Sequence, residues 1–315
     1  MKKRYISMYF RKTILFVILV LAGVIAGGFN NPGYVNATDT TTTDVNANNS
    51  TVDTATDNTN VNNSDVSIPE TPKGIKIKIS NTIKETEILK GKFIKKKGFK
   101  YFKKSDKKLA KNMFFTYNNN VYRVNKKGRI VTGWAKYNGN YYYFNRNNGK
   151  MTRSGKVDKI KISQYGVVKD SKYNVSRVKV YIKAQKVVNS ITKPTDSKSK
   201  KLYKCYKWLA KFPYKEYRTM TKTKKKHPYD WDVVFAKDIF DTHKGCCASE
   251  ASAFAYMAKV CGYKKVTICS DTEHAWVDIG GRLYDPLFAE AKSFSKNYNS
   301  KYWDYRKRPA YVKKL

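Results

Sequence analysis

Three residues in the C-terminal third of the chain have the types and spacing needed for covalent chemistry: Cys247, His274 and Asp285. The thiolate, not the thiol, is the nucleophile. It is favoured at a helix start, where unpaired backbone N–H groups and the helix dipole stabilise negative charge. Cys247 has that setting by pattern. From it, Ala251, Phe254, Ala258 and Cys261 recur at three- and four-residue steps, which predicts a helix with one buried face. Gly245 allows a tight backbone entry just before it. A base must then take the thiol proton, and a third group must hold the base. If Gly280-Gly281 closes a two-residue hairpin, Ile279 lies opposite Arg282, Asp278 opposite Leu283 and Trp276 opposite Asp285. Side chains alternate along a strand, so His274, Trp276 and Asp285 share a face and Asp285 is diagonal to His274. Asp278 shares that face but sits four residues along, roughly 13 Å away. Asp285 is therefore the expected partner of His274, and such a set transfers an acyl group from an amide through a thioester.

Other sulfur and imidazole groups compete for these roles. Cys246 is one step earlier and would point about 100° away round the helix. Cys205, Cys261 and Cys269 read as packing residues, and His227 and His243 as surface or packing residues. Five cysteines leave at least one unpaired, which suits a working thiol better than a disulfide scaffold. A zinc site from Cys246, Cys247 and His274 lacks the usual two-residue spacing of a chelating pair. Neither a metal nor a cofactor is expected.

The stretch from Lys244 to Pro286 resembles the transglutaminase-like superfamily, whose papain-related core uses a Cys-His-Asp triad. The matching pieces are Gly245 and Cys247, the small and apolar Ala251, Phe254 and Met257, the helix-ending Gly262, the His274-Ala275-Trp276 run and Tyr284-Asp285-Pro286. The family spacing from Gly245 to Gly262 selects Cys247 over Cys246. The chain departs from the family in placing Tyr284 directly before Asp285, with eleven residues from His274 to Asp285. The resemblance spans about 90 residues, roughly Leu202 to Phe288. It implies a cysteine peptidase, amidase or transglutaminase. In that reading the Cys247 N–H is the first oxyanion donor; the second is unassigned, with Trp231 a candidate.

Several elements must position these groups. A helix is expected from about Ser199, with Leu202, Cys205, Leu209 and Phe212 on its apolar stripe and Pro213 as its stop. A second helix, Trp231 to Asp241, offers Val234, Ala236, Ile239 and Phe240 and delivers the chain to Gly245. Helices followed by antiparallel strands give an α+β, transglutaminase-like or papain-like catalytic domain over 199–315. Its tail from Lys292 to Leu315 is expected to add an edge element.

Upstream, residues 71–155 form an expected all-β module of hairpin repeats of about 20 residues, in which aromatic pairs alternate with Asn/Lys/Gly turns. These units resemble the aromatic-glycine repeats of Gram-positive cell-wall-binding modules, best over Gly133-Trp134 and Gly139 to Met151. The resemblance implies attachment to wall polysaccharide or teichoic acid, with Tyr122, Trp134, Tyr142, Tyr143 and Phe144 as candidate wall-binding residues. A plain spacer role stands beside that reading. Residues 156–198 alternate in places (Val157; Ile160 and Ile162; Val178, Val180 and Ile182) and read as a strand-rich connector.

The N-terminus reads as a signal peptide or membrane anchor over 1–29, with cleavage possible after Ala37: five basic residues precede an uncharged, mostly apolar run from Thr13 to Phe29. Residues 30–70 lack Lys and Arg and read as a disordered Thr/Asn/Asp-rich linker. From Thr71 onward the charge reverses, with 59 Lys and Arg against 18 Asp and Glu. Such a field attracts polyanions, for a secreted chain wall polymers such as teichoic acids, anionic lipid headgroups and, to a lesser degree, nucleic acid. The bias to Lys over Arg and the lack of a nucleic-acid motif argue against specific nucleic-acid recognition. Together these expectations describe an extracellular, wall-associated protein acting on peptidoglycan stem peptides or surface proteins. A protein-crosslinking transglutaminase and a non-catalytic wall-binding protein are the alternatives.

Overall fold

The computed structural model describes residues 86–169, 171–271, 273–301 and 309–315. The leader (1–29) and linker (30–70) expected from the sequence lie outside these residues. Among the described residues no helix is long and apolar enough to cross a membrane, which corrects the expectation of membrane association for this part of the chain.

Two-residue hairpin loops of type I′ need positive φ at both central residues. Lys97-Gly98, Asn118-Asn119, Asn138-Gly139 and Asp158-Lys159 all have it, recurring about every 20 residues. They close four hairpins: β2 (Gly91–Lys96) with β3 (Phe99–Lys104), β4 (Phe114–Tyr117) with β5 (Asn120–Arg123), β6 (Gly133–Tyr137) with β7 (Asn140–Phe144), and β8 (Lys156–Val157) with β9 (Ile160–Lys161). The short β1 (Glu87–Ile88) runs parallel to β4. An isolated hairpin is marginal, so each unit must lean on its neighbour. Backbone bonds do this: Ile130 N–H to Lys100 O (2.8 Å), Met151 N–H to Val121 O (2.8 Å) and Val168 N–H to Tyr141 O (2.9 Å). The aromatics fill the spaces between them, with Phe102, Phe115, Tyr142 and Phe144 buried.

The strand-rich expectation for 156–198 is half corrected. Its first part is the fourth hairpin, but α1 (Lys172–Ile191) is a 20-residue helix, capped by Ser171 Oγ accepting from Asn174 N–H at 3.1 Å. Val178, Val180 and Ile182 mimic a strand, yet Tyr181, Ala184 and Val188 complete a buried helical stripe with Val178. Packing against a central helix outweighs the β preference of the branched residues. Next come α2 (Lys198–Leu209), α3 (Met220–Lys226), α4 (Trp231–Thr242) and α5 (Cys247–Val260). On α2 the expected Leu202, Cys205 and Leu209 are buried. On α4, Ala236 and Ile239 are buried as expected, and Val233 and Phe235 join them.

α5 is buried all round from Ala248 to Ala258, not on one face. It is sandwiched by α1, α2 and α4 and by an antiparallel sheet, so no side of it meets water. That sheet has the order β13 (Tyr298–Ser300), β12 (Leu283–Tyr284), β11 (Ala275–Ile279), β10 (Val266–Ser270) and β14 (Tyr311–Lys314). The tail thus supplies the β14 edge. Two short helices, α6 (Pro286–Ala291) and α7 (Phe294–Asn297), lie between β12 and β13. The chain is mixed α+β.

The described residues form one compact unit. Trp134, Tyr141, Ile160 and Ile162 of the hairpins share a core with α1, α2, α4 and α5. A buried polar knot ties the helices further. Arg177 on α1 reaches Asp232 Oδ1 (3.1 Å) and Tyr256 OH (2.8 Å), and Tyr256 OH donates to Asp232 Oδ2 (2.7 Å).

Candidate active site

The chain leaves α4 through His243, held in the left-handed region at φ 54°, and reaches Gly245. Gly245 O accepts from Lys215 N–H at 2.9 Å. A Cβ at Gly245 would come 2.5 Å from Ser249 Cβ and 2.8 Å from Ile239 Cδ1, so only glycine lets this backbone pass between α4 and the first turn of α5. Cys246 is the N-cap residue and Cys247 the first helical one. The start of α5 is anchored to α4: Arg218 Nη1 donates to Asp238 Oδ1 (2.6 Å), Ser249 Oγ donates to Asp238 Oδ2 (2.8 Å), and Cys246 Sγ lies 3.7 Å from Ser249 Oγ.

His274 immediately precedes β11, at the end of a turn from β10. Asp271 Oδ1 accepts from the Glu273 (2.8 Å) and His274 (2.6 Å) backbone N–H groups, and Asp271 N–H returns to His274 O (3.0 Å). Downstream, Gly280-Gly281 closes the β11–β12 hairpin with positive φ at both residues. Asp278 pairs with Leu283 and Val277 with Tyr284, the register that a two-residue turn requires. Asp285 follows β12, fully buried, with its Oδ2 2.5 Å from His274 Nε2.

Asp285 has a second duty. Its Oδ1 accepts from Phe288 N–H at 3.0 Å, capping α6, whose first residue is Pro286. The cap brings the Phe288 ring over the imidazole, with centroids 4.2 Å apart and planes 13° off parallel, while Trp276 lies 6.2 Å from His274. Tyr206 OH is within hydrogen-bond distance of Asp285 O (2.7 Å) and Asn297 O (2.5 Å), holding the backbone of this corner. Phe288 and Tyr206 were not singled out by sequence reasoning. Asp285-Pro286 is a helix-start signature and could have pointed to Phe288; nothing local points to Tyr206.

Cys247 Sγ lies 4.0 Å from Glu273 O, with Ala275 N–H also against it. The thiol therefore meets the segment that carries His274. Among the described residues no hydrogen bond joins Sγ to the imidazole itself. Asp285 takes Nε2, so Nδ1 is the ring nitrogen that a thiol proton would have to reach. The adjacent thiols push each other in opposite directions. Cys246 is brought down, first by the neighbouring Cys247 thiol, against burial, with help from the Ser249 and Ala248 N–H groups. Cys247 is pushed well up, first by Cys246, then by burial and by the Asp285 charge. The thiol against the His274 segment is thus the one that needs a base to become a thiolate.

The structure does not bring Trp231 to this place. Its neighbour Asp232 is bonded to Tyr256, nine residues and about 13 Å along α5 from Cys247. Trp231 packs against Phe235 instead, so the oxyanion assignment is corrected. The wall-binding candidates need a correction too. Tyr122, Trp134, Tyr142 and Phe144 are buried, and Tyr143 packs half-buried against Trp134 with centroids 4.9 Å apart. Trp134 also stacks on Tyr181 of α1 at 6.2 Å. Short hairpins have no other core to build, so these rings fill the interior and offer no exposed cage. Among the described residues no group of three or more His, Cys, Asp or Glu is placed to hold a metal ion.

No family model matches the chain, and no curated protein does. Among solved structures there is a weak, partial likeness to modular proteins of the bacterial cell wall. The Cpl-1 endolysin, solved with a peptidoglycan analogue, is 19% identical over 27% of this chain and 26% of its own, with a TM-score of 0.25. The choline-binding domain of Spr1274 from Streptococcus pneumoniae is 22% identical over 26% of this chain and 95% of its own, with a TM-score of 0.24. Choline-binding protein F from the same organism is 16% identical over 29% of this chain and 37% of its own, with a TM-score of 0.23. The chain thus spans about a quarter of the endolysin's length. Likenesses this slight leave the site to be judged on its own geometry.

Proposed function

We propose that the protein is an extracellular, wall-associated cysteine hydrolase or acyl transferase acting on amides. In this reading Cys247 is the nucleophile, His274 the base and Asp285 the group that orients the base. The observation that carries it is the buried Asp285 carboxylate on His274 Nε2 at 2.5 Å, with Cys247 opening a helix against the Glu273–Ala275 backbone. Cys247 Sγ attacks the amide carbonyl carbon as its proton passes to His274 Nδ1. The tetrahedral intermediate collapses, the C–N bond breaks, and the imidazolium protonates the departing amine. Water then attacks the thioester and releases the acid. The Cys247 N–H, one of the unpaired donors of the first helical turn, is the assigned oxyanion donor. Substrates in keeping with the leader, the basic charge and the wall-module resemblance read from the sequence are peptidoglycan stem peptides or surface-protein glutamines.

The test alkylates the protein with iodoacetamide and maps the fastest-labelled cysteine. It then compares wild type with Cys247→Ala and Cys246→Ala on peptidoglycan and on a glutamine-donor peptide. Expected are labelling of Cys247 that is lost in His274→Ala while that of Cys261 is unchanged, and loss of turnover only in Cys247→Ala. Undiminished turnover in Cys247→Ala sinks the assignment. Transfer to a lysine amine in preference to water would make the enzyme a transglutaminase.

A further inference from the structure

At the other end of α5 from Cys247 a second pair of sulfurs meets. Cys205 Sγ, on the buried face of α2, lies 3.8 Å from Cys261 Sγ, which follows the last turn of α5. The two are 56 residues apart in sequence, and the helix between them and Cys247 is about 20 Å long. We propose that Cys205 and Cys261 form a reversible disulfide, locking α2 to the C-terminal end of α5 when the protein meets an oxidising exterior.

The two thiols differ in the way such a pair requires. Cys205 is fully buried, whereas Cys261 is half-buried and the more accessible of the two to a small reagent. The surroundings of Cys261 are cationic: Arg146 Nη1, from the turn after β7, donates to Val260 O at 3.2 Å, and Lys198 and Lys201 stand on the first turn of α2. Contact with Cys205, then the Lys201, Arg146 and Lys198 charges, lowers the Cys261 thiol against burial. Cys205 is pushed up by the same contact and by burial. Cys261 therefore attacks first.

The oxidant is a small-molecule disulfide. The Cys261 thiolate attacks one of its sulfurs, making a mixed disulfide and releasing one thiolate. The Cys205 thiol then gives up its proton, attacks the Cys261 sulfur and expels the second small thiol. Two protein thiols are oxidised and one disulfide is reduced to two thiols. A disulfide needs sulfurs about 2.05 Å apart, so the contact must close by less than 2 Å. The bond closes a loop holding α3, α4 and α5, and so restricts the unfolded chain over the region that builds the candidate active site.

The full chain, incubated with oxidised glutathione or with dithiothreitol, is denatured, its thiols are counted, and its peptides are mapped by mass spectrometry. Expected is joint loss of the Cys205 and Cys261 thiols, a linked 205–261 peptide two hydrogens lighter, and a rise in Tm of about 10 °C over the reduced protein. The rise should vanish in Cys261→Ser, and in Cys205→Ser if that buried substitution folds. Retention of both thiols, a stable glutathione adduct on Cys261, or a Cys246–Cys247 bond formed in their place would overturn the proposal.

Discussion

Replacing Asp285 by Asn tests the candidate site at its most constrained atom pair. Both named partners of the carboxylate are donors in the proposed state: Phe288 N–H to Oδ1 at 3.0 Å, and His274 Nε2–H to Oδ2 at 2.5 Å. Asn offers one oxygen and one NH2 group, so one partner must change. The backbone N–H cannot become an acceptor, and losing the cap costs about 1 kcal/mol, with about 1–3 kcal/mol more where a buried donor is orphaned. A neutral imidazole can become an acceptor by moving its proton from Nε2 to Nδ1. The cheaper arrangement keeps the cap and turns the NH2 toward Nε2. His274 then carries its proton on Nδ1, the atom that should receive the Cys247 proton. Asp285→Asn is therefore expected to melt near the wild-type Tm while turnover falls about 10³–10⁴-fold, or about 4–5 kcal/mol in the barrier. Neutral-pH alkylation of Cys247 should fall with it. Asp285→Ala should lose both the activity and the cap. Thermal melts with alkylation kinetics suffice even before a substrate is identified. A variant with wild-type Tm and more than a tenth of wild-type turnover would falsify the two-donor reasoning.

Three further outcomes are expected. Cys246→Ala removes the largest influence holding the Cys247 thiol up, so the pH profile of Cys247 alkylation should move to lower pH and the rate at neutral pH should rise; an unmoved profile would show that the thiols do not share a proton. Gly245→Ala places a methyl 2.5 Å from Ser249 Cβ, and overpacking there should cost about 1–3 kcal/mol in urea unfolding, with slower alkylation of Cys247 because the helix start is displaced; an unchanged midpoint would mean that the backbone moves aside freely. Trp134→Ala should cost about 3–5 kcal/mol as a core truncation, in contrast to a ligand-cage residue whose loss would spare stability and reduce only wall binding.

How much of this was legible in the chain depends on the range of the interaction concerned. The two-residue turn at Gly280-Gly281 is local, and alternation along a strand is a fixed period, so the register bringing Asp285 toward His274 followed from counting residues. The helix over Leu202, Cys205 and Leu209 was legible because their spacing matches its turn. The run of Val178, Val180 and Ile182 misled because a two-residue period inside a longer stretch also fits a helix that packs on several neighbours. The wall-binding candidates failed for a related reason: a sequence shows that an aromatic recurs, but burial depends on what covers it, and α1 covers Trp134.

The sequence by itself determined the Gly280-Gly281 turn, the starts of α2, α4 and α5, the repeat period and the order of thiol, imidazole and carboxylate, since each is written in residue types and spacings along the chain. Only the tertiary structure decided which atoms meet. Asp285 both caps α6 and holds His274, Phe288 lies on the imidazole, and Trp231 stands at the far end of α4. Cys205 and Cys261, remote in the chain, touch because α2 packs against α5. The Cys205–Cys261 contact joins segments 56 residues apart, and the place of every one of these groups is fixed by how the helices and sheet share one core, which no local spacing encodes.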